Sequence, residues 1–106
     1  MQSIHPEQLK ARLDDARAAP RLIDVREPWE YEICRIEGSE NIPMAELPAR
    51  MADAEPGRDI VIICHHGMRS GQVAAYLASL GHDGIVNLEG GLDAWARTVD
   101  PDMPQY

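Results

Sequence analysis

The residues whose types and spacing most directly suggest chemistry form one continuous segment, CHHGMRS at residues 64–70. It follows an aliphatic run and enters a segment with helical spacing, so its backbone must curl tightly, and Gly67 can take the positive φ that a curl needs. Such a curl points successive N–H groups inward. Together with the helix start and Arg69, these groups form a cup that holds an anion and stabilises a sulfur at its base as the thiolate. Cys64 is therefore a candidate nucleophile.

Each of these residues also has a plain structural interpretation. A cysteine that closes an aliphatic strand is often only a small buried hydrophobe. His65 and His66 either contact a substrate or are simply solvated. Arg69 either neutralises an anionic donor or ties the loop to a carboxylate such as Asp24 or Glu27.

A zinc site built from Cys64, His65 and His66 is not expected. Neighbouring residues rarely chelate one ion together, and no CxxC or HExxH spacing supplies further ligands. We therefore expect no metal and no organic cofactor at this loop.

Short strands and helices that alternate along the chain must position the loop. Leu9, Leu13 and Ala16 recur at helical spacing after Pro6, which predicts a helix that ends before Pro20. Short apolar runs predict strands over residues 22–25, 41–42, 60–63 and 85–88. Helical segments are predicted over residues 29–33, 45–51 and 92–97, with a polar turn at 55–59 and an irregular tail from residue 100. One more helix is predicted to carry Val73, Ala74, Leu77 and Leu80 on one face and to end at Gly81.

The predicted strand over residues 60–63 sets the fold class. Its four aliphatic residues have no polar alternation, which is typical of a central strand in a parallel sheet with helices on both faces. Strands alternating with helices predict an α/β domain with a mostly parallel sheet, and ligands of such sheets bind at the carboxyl ends of the strands. Cys64 lies at that end. Asp24, Arg26 and Glu27 follow a neighbouring strand, so we expect them to brace the loop through charge pairs.

Length and composition limit the function classes. The 106 residues fit a single domain over residues 1–106, and the net charge of −8 would repel a nucleic-acid backbone. The longest apolar run, residues 60–64, is far shorter than the roughly 20 residues of a membrane-spanning helix. The N-terminal segment lacks the features of an export signal, which makes the cytoplasm the expected location. Two cysteines are too few for a disulfide scaffold.

Three segments of the chain, taken in order, form a recognisable set of motifs. The first is LIDVREPWEY at residues 22–31, followed by Ile36, Gly38, Asn41, Ile42 and Pro43. The second is the CHHGMRS loop, and the third is LEGGLDAW at residues 88–95. Each motif alone is weak, but the three together resemble the rhodanese-like domain family at its own spacing and cover nearly the whole chain. The chain departs from the first signature where Cys34 and Arg35 replace a common Gly-His pair and Glu37 replaces Pro.

The resemblance implies a rhodanese-like fold with about five strands in its mostly parallel sheet. It also implies sulfur transfer through a persulfide on Cys64. A donor such as thiosulfate gives its outer sulfur to Cys64, and cyanide or a thiol, on a small molecule or a partner protein, takes it. The residues expected to bind substrate and persulfide are His65, His66, Gly67, Met68, Arg69 and Ser70, supported by Asp24, Arg26 and Glu27.

Three other functions are open alternatives. Cysteine phosphatases and arsenate reductases also combine a loop cysteine with an arginine, but their loop is longer than the one between Cys64 and Arg69. Rhodanese-like modules without the cysteine act in binding or regulation. A redox function would pair Cys34 with Cys64 in a disulfide, whereas we expect Cys34 to be inert.

Overall fold

Five parallel strands form one sheet in the order β1-β5-β4-β2-β3. The computed structural model describes residues 2–17, 19–51 and 58–105. The strands are β1 (Gln2–Ile4), β2 (Arg21–Asp24), β3 (Glu40–Asn41), β4 (Ile60–Ile63) and β5 (Ile85–Leu88). The helices are α1 (Pro6–Leu13), α2 (Pro28–Ile33), α3 (Leu47–Arg50), α4 (Met68–Ser79) and α5 (Gly91–Thr98), with a 3-10 turn at Met44–Glu46.

The strand β4 is the centre of the sheet, as its aliphatic sequence predicts. It pairs with β2 on one side and β5 on the other, and all four residues are buried. Val61 and Ile63 pack into a core that includes residues of α1 and α5, whereas Ile60 and Ile62 pack into a second core that includes residues of α3 and α4. Both faces of the sheet are therefore covered, which confirms the predicted α/β architecture with helices on both sides of a parallel sheet.

Strand β1 is an element that the sequence analysis missed. It pairs with the edge of β5, with Ile4 opposite Leu88, and only Ile4 of its three residues is buried. A segment this short and this exposed carries no apolar pattern. Pairing with β5 makes it a strand, because the neighbouring backbone supplies its hydrogen-bond partners.

Several predicted boundaries were wrong. Helix α1 ends at Leu13, so Ala16 lies in a turn beyond it, and the predicted helix over residues 45–51 divides into the 3-10 turn and α3. Leu80 lies past the end of α4 and is 55% exposed rather than packed on the buried face. Gly81 does end this helix with φ +92°, as predicted. Residues 55–57 of the predicted polar turn lie outside the described residues.

The C-terminal tail also contributes to the core. It has no helix or strand among its described residues, as predicted, yet Met103 is buried in the same cluster as Trp95. Among the described residues, no helix combines the length and apolarity needed to cross a bilayer.

Candidate active site

Cys64 lies immediately after the carboxyl end of β4, where the sheet delivers its loops. It is a free thiol and is 1% exposed. Its sulfur accepts the backbone N–H of Gly67 at 3.0 Å. This contact is the inward-pointing amide that the loop sequence predicts, and it places a hydrogen-bond donor on Sγ.

The tight turn depends on Gly67, which has φ +90° and ψ −5° directly before α4. A Cβ here would lie 3.0 Å from the backbone nitrogen of Gly90 and 3.3 Å from the carbonyl oxygen of Leu88. A side chain is thus disfavoured by both conformation and space. Helix α4 begins at Met68, so the first N–H groups of that helix have no acceptor within it and face the loop.

A second contact on the Cys64 sulfur comes from beneath the loop. The hydroxyl of Ser70, which is fully buried, lies 3.2 Å from Sγ and 2.5 Å from Oδ1 of Asn87. The Nδ2 of Asn87 donates to the carbonyl oxygen of Gly67 at 3.3 Å. Sequence analysis missed Asn87, although a polar residue among the aliphatic residues of a fully buried strand was an available signal.

The rear of the loop is held by the start of α5. The N–H of Leu92 donates to the carbonyl of Cys64 at 2.8 Å, and the N–H of Asp93 donates to the carbonyl of His65 at 2.9 Å. Gly91, at φ +60°, allows this approach, because a Cβ there would lie 2.4 Å from the Cys64 carbonyl oxygen. The third sequence motif therefore anchors the loop carbonyls away from the sulfur.

Arg69 pairs with a carboxylate that the sequence analysis did not name. Its two terminal nitrogens donate to Oε1 and Oε2 of Glu30, each at 2.8 Å. Pairing with a carboxylate such as Asp24 or Glu27 was one of the two roles considered for Arg69; the structure gives it a carboxylate, that of Glu30. Glu30 stands on the first turn of α2, where its Oε1 also accepts the Glu27 backbone N–H at 3.0 Å, so a short helix far away in sequence presents it to the loop.

Asp24 and Arg26 form a buried ion pair with each other. Both side chains are fully buried, and the shortest contact, Nη2 to Oδ2, is 2.7 Å. Arg26 also donates to the backbone carbonyls of Glu30 at 3.1 Å and Cys34 at 2.6 Å. The pair thus fixes α2, which in turn presents Glu30 to Arg69. Asp24 and Arg26 therefore brace the loop only indirectly, through α2.

The two histidines lie at the outer side of the loop. Their rings stack with centroids 4.0 Å apart, and His66 is exposed. Burial, together with the proximity of His66, lowers the pKa of His65. Met68, at the end of the loop, is 76% exposed.

His65, His66 and Asp93 form a group of potential metal ligands. Their ligand atoms lie within 4.8 Å of one another, and Cys64 is not part of the group. The carboxylate of Asp93 is also paired with Arg97 at 3.0 Å, so it takes part in an ion pair in this structure.

The two cysteines lie on opposite faces of the sheet. Cys34 packs in the core beside Val61 and Ile63, whereas Cys64 packs in the core beside Ile60 and Ile62. A disulfide needs Cβ atoms about 3.5–4.5 Å apart. A disulfide between Cys34 and Cys64 would therefore require the backbone to move.

Comparison with known proteins gives consistent matches. The family model for the rhodanese-like domain matches residues 5–98. A sulfurtransferase from Allochromatium vinosum is 40% identical over 94 residues, covering 89% of this chain and 87% of that protein. The crystal structure of a rhodanese-related protein from Thermoplasma volcanium superposes with a TM-score of 0.82 at 33% identity, covering 93% of this chain and 94% of that one.

Longer relatives contain the same unit as one part. The probable adenylyltransferase/sulfurtransferase MoeZ from Mycobacterium tuberculosis is 36% identical over 106 residues. The match covers 98% of this chain, which spans only 27% of the length of that relative.

Proposed function

The chain belongs to the rhodanese-like domain family, and from this premise we propose that it is a sulfurtransferase whose Cys64 carries the transferred sulfur as a persulfide. The observation that carries the proposal is the environment of Sγ. A loop amide donates to it at 3.0 Å and a buried hydroxyl lies 3.2 Å away, at the carboxyl end of the central strand. The N–H of Gly67 is fixed by the loop backbone, so it stabilises an anionic sulfur without reorganising.

The proposed reaction has two displacement steps. In the first, the Cys64 thiolate attacks the outer sulfur of a donor such as thiosulfate; the new S–S bond forms while the old one breaks, and sulfite leaves with the electron pair. In the second, cyanide or an acceptor thiolate attacks the terminal sulfur of the persulfide, and the Cys64 thiolate leaves. No net oxidation of the enzyme occurs over the cycle.

Charge on the sulfur is balanced mainly by the main chain in this proposal. Arg69 is engaged with Glu30 through both terminal nitrogens, which reduces its capacity to bind a donor anion. The N–H of Gly67 and the start of α4 supply positive potential at Sγ instead. Arg69 then serves to hold the loop against α2. The acceptor is a small thiol, cyanide or a thiol on a partner protein.

Intact mass spectrometry tests the proposal. Incubation with thiosulfate should add one sulfur atom to the protein, and cyanide should remove it as thiocyanate. Cys64→Ser should abolish the addition, and the matched control Cys34→Ser should leave it unchanged. Addition that persists in Cys64→Ser, or that is lost in Cys34→Ser, would contradict the proposed carrier.

Because Cys64 is buried, its accessibility to a thiol reagent provides a second test. Cys64 is 1% exposed, so its sulfur is covered in this structure. Iodoacetamide should nevertheless alkylate Cys64 in the folded protein. A thiol that reacts only after unfolding would instead fit the inert buried cysteine.

Cysteine phosphatase activity is the second candidate function, and it can be measured directly. The engagement of Arg69 with Glu30 leaves less of its guanidinium to cradle a phosphoryl group. Hydrolysis of an aryl phosphate faster than sulfur transfer from thiosulfate would reverse the ranking.

A further inference from the structure

The amide of Asn87 contacts both residues that contact the Cys64 sulfur, Gly67 through its carbonyl and Ser70 through its hydroxyl. Asn87 is 9% exposed and is the polar residue of β5, between Val86 and Leu88. Its Oδ1 lies 2.5 Å from the Ser70 hydroxyl, and its Nδ2 lies 3.3 Å from the carbonyl oxygen of Gly67. One side chain of β5 therefore ties the start of α4 to the loop around Cys64.

The orientation of this amide fixes which way the Ser70 proton points. An amide nitrogen can only donate, so Nδ2 toward the Gly67 carbonyl leaves Oδ1 facing Ser70 as an acceptor. A hydroxyl carries a single proton and cannot donate to Asn87 and to the Cys64 sulfur at the same time. The two acceptors therefore compete for it.

The charge on sulfur decides the competition. While Cys64 is a neutral thiol, Ser70 donates to Asn87, and the hydroxyl oxygen accepts the S–H. Once the thiol proton has left to solvent, the hydroxyl turns to donate to the anionic sulfur, because hydrogen bonds to ions are roughly twice as strong as neutral ones. This turn leaves Oδ1 of Asn87 without the Ser70 proton.

We propose that Asn87 is a positioning residue that tunes the ionisation of Cys64 by holding the Ser70 hydroxyl proton. Ser70 favours the anionic sulfur when it donates to it, and Asn87 competes for the same proton. A thiol that ionises near the ambient pH is the most effective attacking group, because nucleophilicity falls as the thiolate becomes more stable. Where it concerns turnover, this inference rests on the proposed function.

The pH profile of Cys64 alkylation by iodoacetamide tests the inference without any sulfur transfer. Measured in the Cys34→Ser background, only Cys64 can react as a thiol. Ser70→Ala should move the midpoint of the profile to higher pH, because the thiolate loses a donor. Asn87→Ala should move it to lower pH, because Ser70 can then donate to sulfur without competition. Shifts of about half a unit correspond to rate changes of about threefold at low pH.

Two further variants separate tuning from loosening of the loop. In the Ser70→Ala background, Asn87→Ala should have no further effect on the midpoint. Asn41→Ala is the matched control, because Asn41 also donates from Nδ2 to backbone carbonyls, those of Asp24 and Arg26, but has no recorded contact with Cys64 among the described residues. Its midpoint should equal that of the parent.

A midpoint that rises in Asn87→Ala, or does not move, would overturn the inference, since a merely loosened loop weakens the donors to sulfur. If Asn87→Ala does not fold, Asn87→Leu replaces it. Leucine keeps the approximate size of the side chain and removes the acceptor for the Ser70 proton, so the midpoint should again fall; an unchanged or raised midpoint in this variant would also overturn the inference. Failure of thiosulfate to load Cys64 would contradict the proposed function but would not change the alkylation midpoints. Failure of the function and failure of the inference are therefore distinguishable.

Discussion

At the scale of single residues, Arg69 illustrates how a fixed partner limits what a charged side chain can do. Its two bonds to Glu30 are each 2.8 Å long, and the Glu30 side chain is 6% exposed against 37% for Arg69. Removing one partner of a buried pair is costly because the other charge stays where water cannot solvate it. The more buried carboxylate therefore depends more on the pair.

We expect Arg69→Gln to lower the free energy of unfolding by about 1–3 kcal/mol, since the buried Glu30 carboxylate keeps the Glu27 N–H but loses both hydrogen bonds from the guanidinium. Glu30→Gln should cost less, because Arg69 can turn toward solvent. Denaturation in urea measures both, and the double variant should lose less than the sum of the two losses. An Arg69→Gln protein of unchanged stability but with a raised KM for thiosulfate would instead assign Arg69 to anion binding.

At the scale of elements, the start of α5 is built into the loop that it supports. Two of its backbone N–H groups bind the carbonyls of Cys64 and His65, and Gly91 allows the contact. Those bonds orient the peptide groups at the base of the loop, so a shift of α5 must move the loop with it. Gly91 thus serves the geometry of a cysteine 27 positions earlier.

Gly91→Ala should displace the loop and weaken both folding and sulfur loading. Gly81→Ala is the matched control, because Gly81 also has positive φ but nothing lies within 4 Å of its Cβ position. The control should lose only about 1–2 kcal/mol of stability from the left-handed conformation, with loading by thiosulfate intact. Gly91→Ala should lose more in the same thermal or urea unfolding measurement. Equal losses with normal loading in both variants would show that the close approach of α5 is unimportant.

At the scale of the whole molecule, the sheet divides the interior into two cores and places one cysteine in each. The two thiols therefore lie on different faces of the sheet. The sheet also ends at β3, a strand of two residues joined to β2 by an ion pair between side chains. Arg21 donates to both carboxylate oxygens of Glu40, at 2.8 and 3.1 Å.

This edge pair should make a small part of the stability depend on pH. The hydrogen bond from Arg21 lowers the pKa of Glu40 below its ordinary 4.5. A carboxyl whose pKa is lower in the folded state stabilises the protein above its ordinary pKa, and the contribution is lost as the pH falls through the folded pKa. Because Glu40 is partly exposed, its share is less than about 1 kcal/mol.

Urea unfolding of Glu40→Gln at several pH values checks this contribution. The stability difference from the parent should be present at pH 7 and should shrink as the pH falls below 4.5. Glu32→Gln is a suitable control, since Glu32 is exposed and has no recorded ion pair among the described residues. A difference for Glu40→Gln that is independent of pH would contradict the assignment.

The sequence by itself determined the central strand, the loop and the class of sheet. These features depend on short local segments of the sequence. Four aliphatic residues specify β4, and a glycine three positions after Cys64 permits the turn. The three ordered motifs identified the family, which the match over residues 5–98 confirms. Local patterns suffice here because burial on both faces and a positive φ each impose a residue type directly.

Only the tertiary structure decided which distant residues complete the site. Glu30 meets Arg69 across 39 positions and Asn87 meets Ser70 across 17, and neither contact follows from any local period. Strand β1 likewise exists through its pairing with β5. Which neighbours meet depends on the order of the strands and on the docking of the helices against them, so the partners of the loop become fixed only when the chain has packed.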